Sequence, residues 1–108
     1  MLSKLTKILK LKKKKPPIVT INDLKENMYT QKLLQIVLFS ISSKTRLAKE
    51  EIPLDWLLVK DLNLTYQEKS SVLFDVESHF NITIFDGIHC YEDFTTRYVL
   101  DYYTELNF

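Results

Sequence analysis

Apolar residues return every three or four positions along three stretches of this 108-residue chain, and each stretch predicts a helix. In the first, residues 28–42, the side chains of Met28, Leu33, Leu34, Val37, Leu38 and Ile41 share a stripe, with Gln31, Lys32 and Gln35 on the other face. In the second, Val72, Leu73, Val76 and Phe80 line one face, and Glu68, Asp75, Glu77 and Ser78 lie mostly off it. Thr65 followed three residues later by Glu68 is a capping-box spacing that sets the start of this helix at Tyr66. Asn81, which tolerates the left-handed conformation, ends it. A last helix, from residue 91 or 92 to 106, places Phe94, Tyr98, Val99 and Tyr102 on one stripe. Asp86-Gly87-Ile88 suits a short helix or turn between the second and the last, so four helices are expected, the third short. Ile82-Thr83-Ile84-Phe85 reads as extended, but a lone strand has no partner here.

The segments between these helices carry their own signals. Ser42 to Arg46 reads as the start of a long loop that continues through Pro53, Leu54, Trp56, Leu57, Leu58 and Val59. Backbone this apolar has to fold back over the core, with Trp56 as a core or partner anchor. Upstream, Pro16-Pro17 stops any helix and stiffens the chain. Ile18 to Ile21 is a short extended or docking segment, and Asn22 or Asp23 can cap a brief turn through Glu26. Before the prolines, Leu2, Leu5, Ile8 and Leu9 recur at helical spacing among lysines, which predicts a basic amphipathic helix over residues 1–11. The expected organisation is a basic arm (1–17), a linker or docking segment (18–27) and one helical domain (28–108).

Composition supports a single all-α domain. The chain is 45% hydrophobic, enough for one core, and its one glycine and three prolines do not supply the turns of a sandwich or barrel. Cys90 is the only cysteine, which leaves neither an internal disulfide nor a cysteine-based zinc site. No stretch reaches the roughly 18 apolar residues of a membrane span.

Net charge is only +1, but it is unevenly distributed. Residues 1–49 hold twelve Lys/Arg against two Asp/Glu, a net of +10, and residues 50–108 hold three against twelve, a net of −9. Lys4, Lys7, Lys10, Lys12, Lys13, Lys14 and Lys15 give the arm seven positive charges and no negative one. Such an arm suits three roles: a mitochondrial targeting segment, a phosphate-binding nucleic-acid arm, or a helix on an anionic lipid surface. It differs from common targeting segments in having no arginine. A solvated tail is the plain alternative.

Catalytic constellations are weak. His79 and His89 have no fixed helical relation, a metal pair with Asp86 or Cys90 is a minor alternative, and adjacent His89 and Cys90 rarely face each other for proton transfer. Glu92-Asp93 is a helix-start charge pair, and Gly87 stands alone rather than in a phosphate loop. Neither an enzyme nor a bound metal is expected.

One stretch carries a resemblance. Asp61-Leu62-Asn63, followed by Thr65-Tyr66-Gln67 and the amphipathic run to Phe80, Ile82 and Ile84, resembles the attachment site of the acyl carrier protein family. There Asp-Leu-Gly leads to Asp-Ser-Leu at the start of the second helix, and the serine carries 4′-phosphopantetheine. The order of elements over about residues 28–104 is similar too. The resemblance implies an acyl-carrier-like four-helix bundle with a basic N-terminal extension, in which Tyr66 stands where the serine would be. A tyrosine is too long and rigid to replace that serine, and using Ser70 or Ser71 would shift the apolar stripe out of register. Phosphopantetheine is therefore not expected, and no small-molecule substrate is implied. The family also implies an accessory subunit on the matrix side of mitochondria, for example in respiratory complex I. It would dock onto a helical partner of the leucine-tyrosine-arginine type, with Asp61, Tyr66, Glu68, Asp75 and Glu77 facing the partner's basic surface. Two alternatives stand beside this: an RNA-contacting subunit of a mitochondrial ribosome, held through the lysine arm, and a working carrier using another serine.

Overall fold

Threonine hydroxyls open three α-helices in the computed structural model, which describes residues 16–24, 28–83 and 92–106. Thr30 accepts from the Leu33 amide at the start of α1 (Gln31–Thr45), Thr65 from Glu68 at α2 (Tyr66–Phe80), and Thr95 from Tyr98 at α3 (Thr96–Glu105). Each hydroxyl satisfies an amide that has no partner within its helix. Arg46 at φ 66° closes α1 and Asn81 at φ 57° closes α2, so ordinary residues take the left-handed position where glycine is usual. Two single 3₁₀ turns, Ile21–Asp23 and Lys49–Glu51, complete the regular structure among the described residues.

The protein is thus helical, as the patterning predicts. The second helix starts at Tyr66 and ends at Phe80 with both halves of the Thr65/Glu68 capping box present. Two boundaries differ from the sequence reading. The first helix runs from Gln31 to Thr45 rather than over 28–42, leaving Met28 outside it and half exposed. Serines and threonines need not end a helix: Ser43 and Thr45 donate back to the carbonyls of Ser40 and Ile41, and Ser42 donates to that of Leu47.

The last helix begins at Thr96 rather than at 91 or 92. Residues 92–95 are held extended against the loop. Leu58 donates to the Phe94 carbonyl, Thr95 forms an isolated antiparallel bridge with Leu57, and Asp93 accepts from the amides of Val59 and Lys60. The buried face of α3 is accordingly Val99, Leu100 and Tyr103, while Tyr98 is exposed. The lysine arm, the end of the turn at residues 25–27 and the short third helix at Asp86-Gly87-Ile88 lie outside the described residues.

The core forms where the three helices meet. Leu33, Val37, Leu38 and Ile41 of α1 pack with Val72, Leu73 and Val76 of α2 and with Val99, Leu100 and Tyr103 of α3. The apolar loop folds back as expected, burying Ile52, Leu54, Leu58 and Leu64 in the same cluster. Each fully buried aliphatic side chain stabilises by about 1.5–3 kcal/mol, so the loop is a fourth wall of the core. The segment over residues 16–24 is docked as well. Val19 accepts from the Leu54 amide and Pro16 from the Trp56 indole, both at 2.8 Å, while Ile21 and Leu24 pack against the core. Trp56 itself is half-buried at the edge.

Candidate docking surface at the start of the second helix

The Asp61-Leu62-Asn63 turn sets the entry to α2. The Asp61 carboxylate accepts from the Leu57 amide at 2.9 Å, and the Asn63 amide donates to the Val59 carbonyl at 3.1 Å. Asn63 sits at φ 62°, in the left-handed region that its short polar side chain tolerates. Leu64 then drops into the core, and Thr65 and Glu68 exchange their hydrogen bonds at 3.0 and 2.9 Å. The next residue, Tyr66, is displayed on the first turn with 49% of its surface exposed.

Beneath Tyr66 lies an interaction not legible in the periodicity. Lys69 is 0% exposed, and its ammonium rests 4.8 Å from the centre of the Tyr66 ring and 4.9 Å from that of Phe94. The ammonium also donates to the Glu92 carbonyl. A buried charge needs such company, because an ammonium removed from water without partners is too costly to retain. Lys69 therefore ties the start of α2 to the extended segment before α3. The following residue, Ser70, is buried as well, and its hydroxyl has no hydrogen-bond partner among the described residues. Ser71 is half-buried.

The expected acidic face is only partly assembled. Asp61 and Glu68 engage the backbone at the entry to the helix. Two turns beyond Glu68, Asp75 accepts from Ser40 at 2.6 Å and from the Lys44 ammonium at 2.8 Å. Burial pushes the Asp75 carboxyl up, but these two hydrogen bonds and the Lys44 charge outweigh it and hold the carboxyl below its usual range. Glu77 does not belong to the exposed face. It is 5% exposed, turned toward α3, and accepts from the Tyr103 hydroxyl at 2.6 Å. Nine positions after Glu68 a helix has turned through half a circle, which sends Glu77 inward.

Phe74 and Phe39, which the sequence reading passed over, are 60% and 64% exposed. Phe74 could have been noticed as an apolar residue off the stripe of Val72, Leu73 and Val76. Phe39 borders a cavity of about 650 Å³ between α1 and α2, together with Ile36, Asp75, Ser78 and His79. Among the described residues no group of His, Cys, Asp or Glu side chains is arranged to hold a metal ion. His89, Cys90 and Asp86 fall outside them. No described helix is long and apolar enough to cross a membrane.

Two ion pairs make the fold acid-sensitive. The Arg97 guanidinium grips Asp55 with bonds of 2.6 and 3.1 Å and holds its carboxyl low against an opposing effect of burial. Asp55 and Asp75 both titrate in the folded protein below the ordinary value of 3.8, so the stability they contribute is present above that value and is lost as pH falls through and below it. The urea midpoint is expected to drop between pH 5 and about pH 3, and less steeply in an Asp55→Asn, Asp75→Asn variant. An equal drop in that variant would assign the sensitivity elsewhere.

No protein-family model, curated protein or solved structure matches this chain.

Proposed function

We propose that this chain is a non-catalytic, acyl-carrier-like accessory subunit that docks onto a basic helical partner in a mitochondrial assembly, respiratory complex I being the reading the resemblance favours. The observation that carries the proposal is the display of Tyr66. A capped helix start and a left-handed Asn63 turn present that position to solvent, and a half-exposed ring occupies it in place of a hydroxyl for phosphopantetheine. Burial of Ser70 speaks against its use as a substitute. The surface suits contact better than chemistry. Tyr66 and Phe74 offer apolar area, and Asp61 and Glu68 give the helix start a negative sign, whereas Asp75, nine positions after Tyr66 and paired with Lys44, faces α1 instead. Aromatic anchors are the usual hot spots of such interfaces, whereas each exposed ion pair adds only about 0–1 kcal/mol.

The test is purification of the tagged full chain from mitochondria, with mass spectrometry of the intact protein and of what accompanies it. Respiratory subunits and an unmodified chain are the expected result. Tyr66→Ser should weaken partner capture by about fivefold to thirtyfold, the effect of losing 1–2 kcal/mol, while Tyr66→Phe retains most of it. A thermal melt of the free variant separates this loss from any loss of the contact with Lys69. A phosphopantetheine adduct, or recovery with ribosomal proteins instead, would overturn the reading.

A further inference from the structure

The cavity between α1 and α2 measures about 650 Å³, within the roughly 300–1,000 Å³ typical of small-molecule sites. From α1 it receives the apolar side chains of Ile36 and Phe39, and from α2 the polar ones of Asp75, Ser78 and His79. Its charge is unbalanced. The Asp75 carboxylate is already matched by the Lys44 ammonium at 2.8 Å and the Ser40 hydroxyl at 2.6 Å. Lys49, half-buried in the 3₁₀ turn that borders the cavity, places its ammonium 5.5 Å from the centre of the Phe39 ring. Among the described residues no carboxylate pairs with that ammonium. Glu50 and Glu51 follow Lys49 in the turn but do not belong to the lining, and Glu51 accepts from the Ala48 amide. His79 is set edge-on against Phe80 with the ring centres 5.9 Å apart, and its imidazole adds a donor rather than an acid.

From this arrangement we propose that the cavity is a binding site for a small amphipathic carboxylate, whose apolar body lies on Ile36 and Phe39 and whose head meets Lys49. Three observations support it. The size fits a small molecule. The apolar wall fits its body, because Phe39 is 64% exposed and a large ring left in water gains from being covered. The charge fits one negative group: the contact between Lys49 and Phe39 holds the ammonium beside the apolar wall, where the head of a molecule laid on that wall comes to rest. A wholly apolar ligand would leave Lys49 without a counter-charge, and a polyanion would be repelled by Asp75. Gln35 and Ser78 supply neutral donors at the same cavity. Nine residues of α2, about 13 Å of helix rise, separate Asp75 from Tyr66, so the inference is independent of the reading of Tyr66.

Titration of the full chain with 2-naphthoate, followed by nuclear magnetic resonance, tests this. Saturable shifts are expected at Ile36, Phe39, Lys49 and Ser78, with Tyr66 and Tyr98 unmoved. Lys49→Gln should weaken naphthoate binding about fivefold without changing the thermal melt. The uncharged 2-naphthylmethanol, which keeps the rings, should bind the parent about fivefold more weakly than naphthoate and be indifferent to Lys49→Gln, the non-additivity expected of two groups in direct contact. Phe39→Ser, a change at an exposed position, should weaken both ligands. Equal binding of the alcohol and the carboxylate, equal weakening of both by Lys49→Gln, or shifts scattered over the other exposed rings would overturn the proposal. So would shifts of these residues that follow protein concentration alone, which would assign the cavity to a second copy, or shifts produced by an acidic peptide and not by naphthoate, which would assign it to a protein partner.

Discussion

Lys69→Ala is expected to destabilise the fold by about 2–4 kcal/mol, read as a lower urea midpoint with an unchanged slope. The substitution removes a fully buried stem, worth roughly 0.8 kcal/mol per methylene, and leaves a cavity between Tyr66 and Phe94. It also deprives the Glu92 carbonyl of its donor and removes two cation–ring contacts of about 0.5–2 kcal/mol each. Against these losses stands relief from keeping an ammonium out of water, which is why the net falls short of their sum. Lys69→Met separates the contributions, because it keeps most of the stem and removes the ammonium, with both its charge and its hydrogen bond to Glu92. Its loss should be about half that of the alanine variant. If Lys69→Met were as stable as the parent, the ammonium would be a passenger and the stem the useful part.

Tyr103→Phe should cost about 1–3 kcal/mol, although it removes a single oxygen. That oxygen donates to Glu77, and both residues are buried between α2 and α3. Losing the donor leaves the carboxylate in the interior with one hydrogen bond fewer, which is worse than never having buried the pair. The pH dependence provides a second readout. Burial, followed by the hydrogen bond to Glu77, pushes the Tyr103 phenol well above its ordinary value of 10.0. A raised folded value means that this stability is present below about pH 10 and is lost as pH climbs toward the folded value. The phenylalanine variant should therefore have a shallower alkaline limb. Tyr29, pushed up to about 12 by burial and its bond to Asp101, keeps part of that limb in both proteins.

What the sequence revealed and what it concealed divide along local and non-local interactions. The second helix was legible to the residue because its signals are local: a threonine cap, a glutamate three positions on, an asparagine stop. The apolar loop was legible because buried backbone with so many aliphatic residues has no other stable place. The start of the last helix was not, since nothing within residues 91–95 announces that Asp93 will bind amides 33 and 34 residues away. Nor did the stripe of Phe94, Tyr98, Val99 and Tyr102 identify the inward face of α3, because Phe94 precedes the helix and Tyr103 carries the buried ring. Of the candidate surface, Tyr66 was legible from the cap, but the placement of Glu77 was not. A carboxylate reads as solvent-facing until the partner that draws it inward, here a tyrosine 26 positions later, is known. Lys69 was concealed for the same reason, since the Phe94 ring and the Glu92 carbonyl that draw it inward belong to a distant segment, although the Tyr66 ring lies one turn away on the same helix.

The left-handed Asn63 turn has one further consequence. Because the turn and the Thr65/Glu68 exchange fix where α2 begins without help from residue 66, that position works as a mounting point. The backbone carries any side chain bolted there at the same height, so the tool can be exchanged without moving the handle, provided that the replacement still shelters the Lys69 ammonium beneath it.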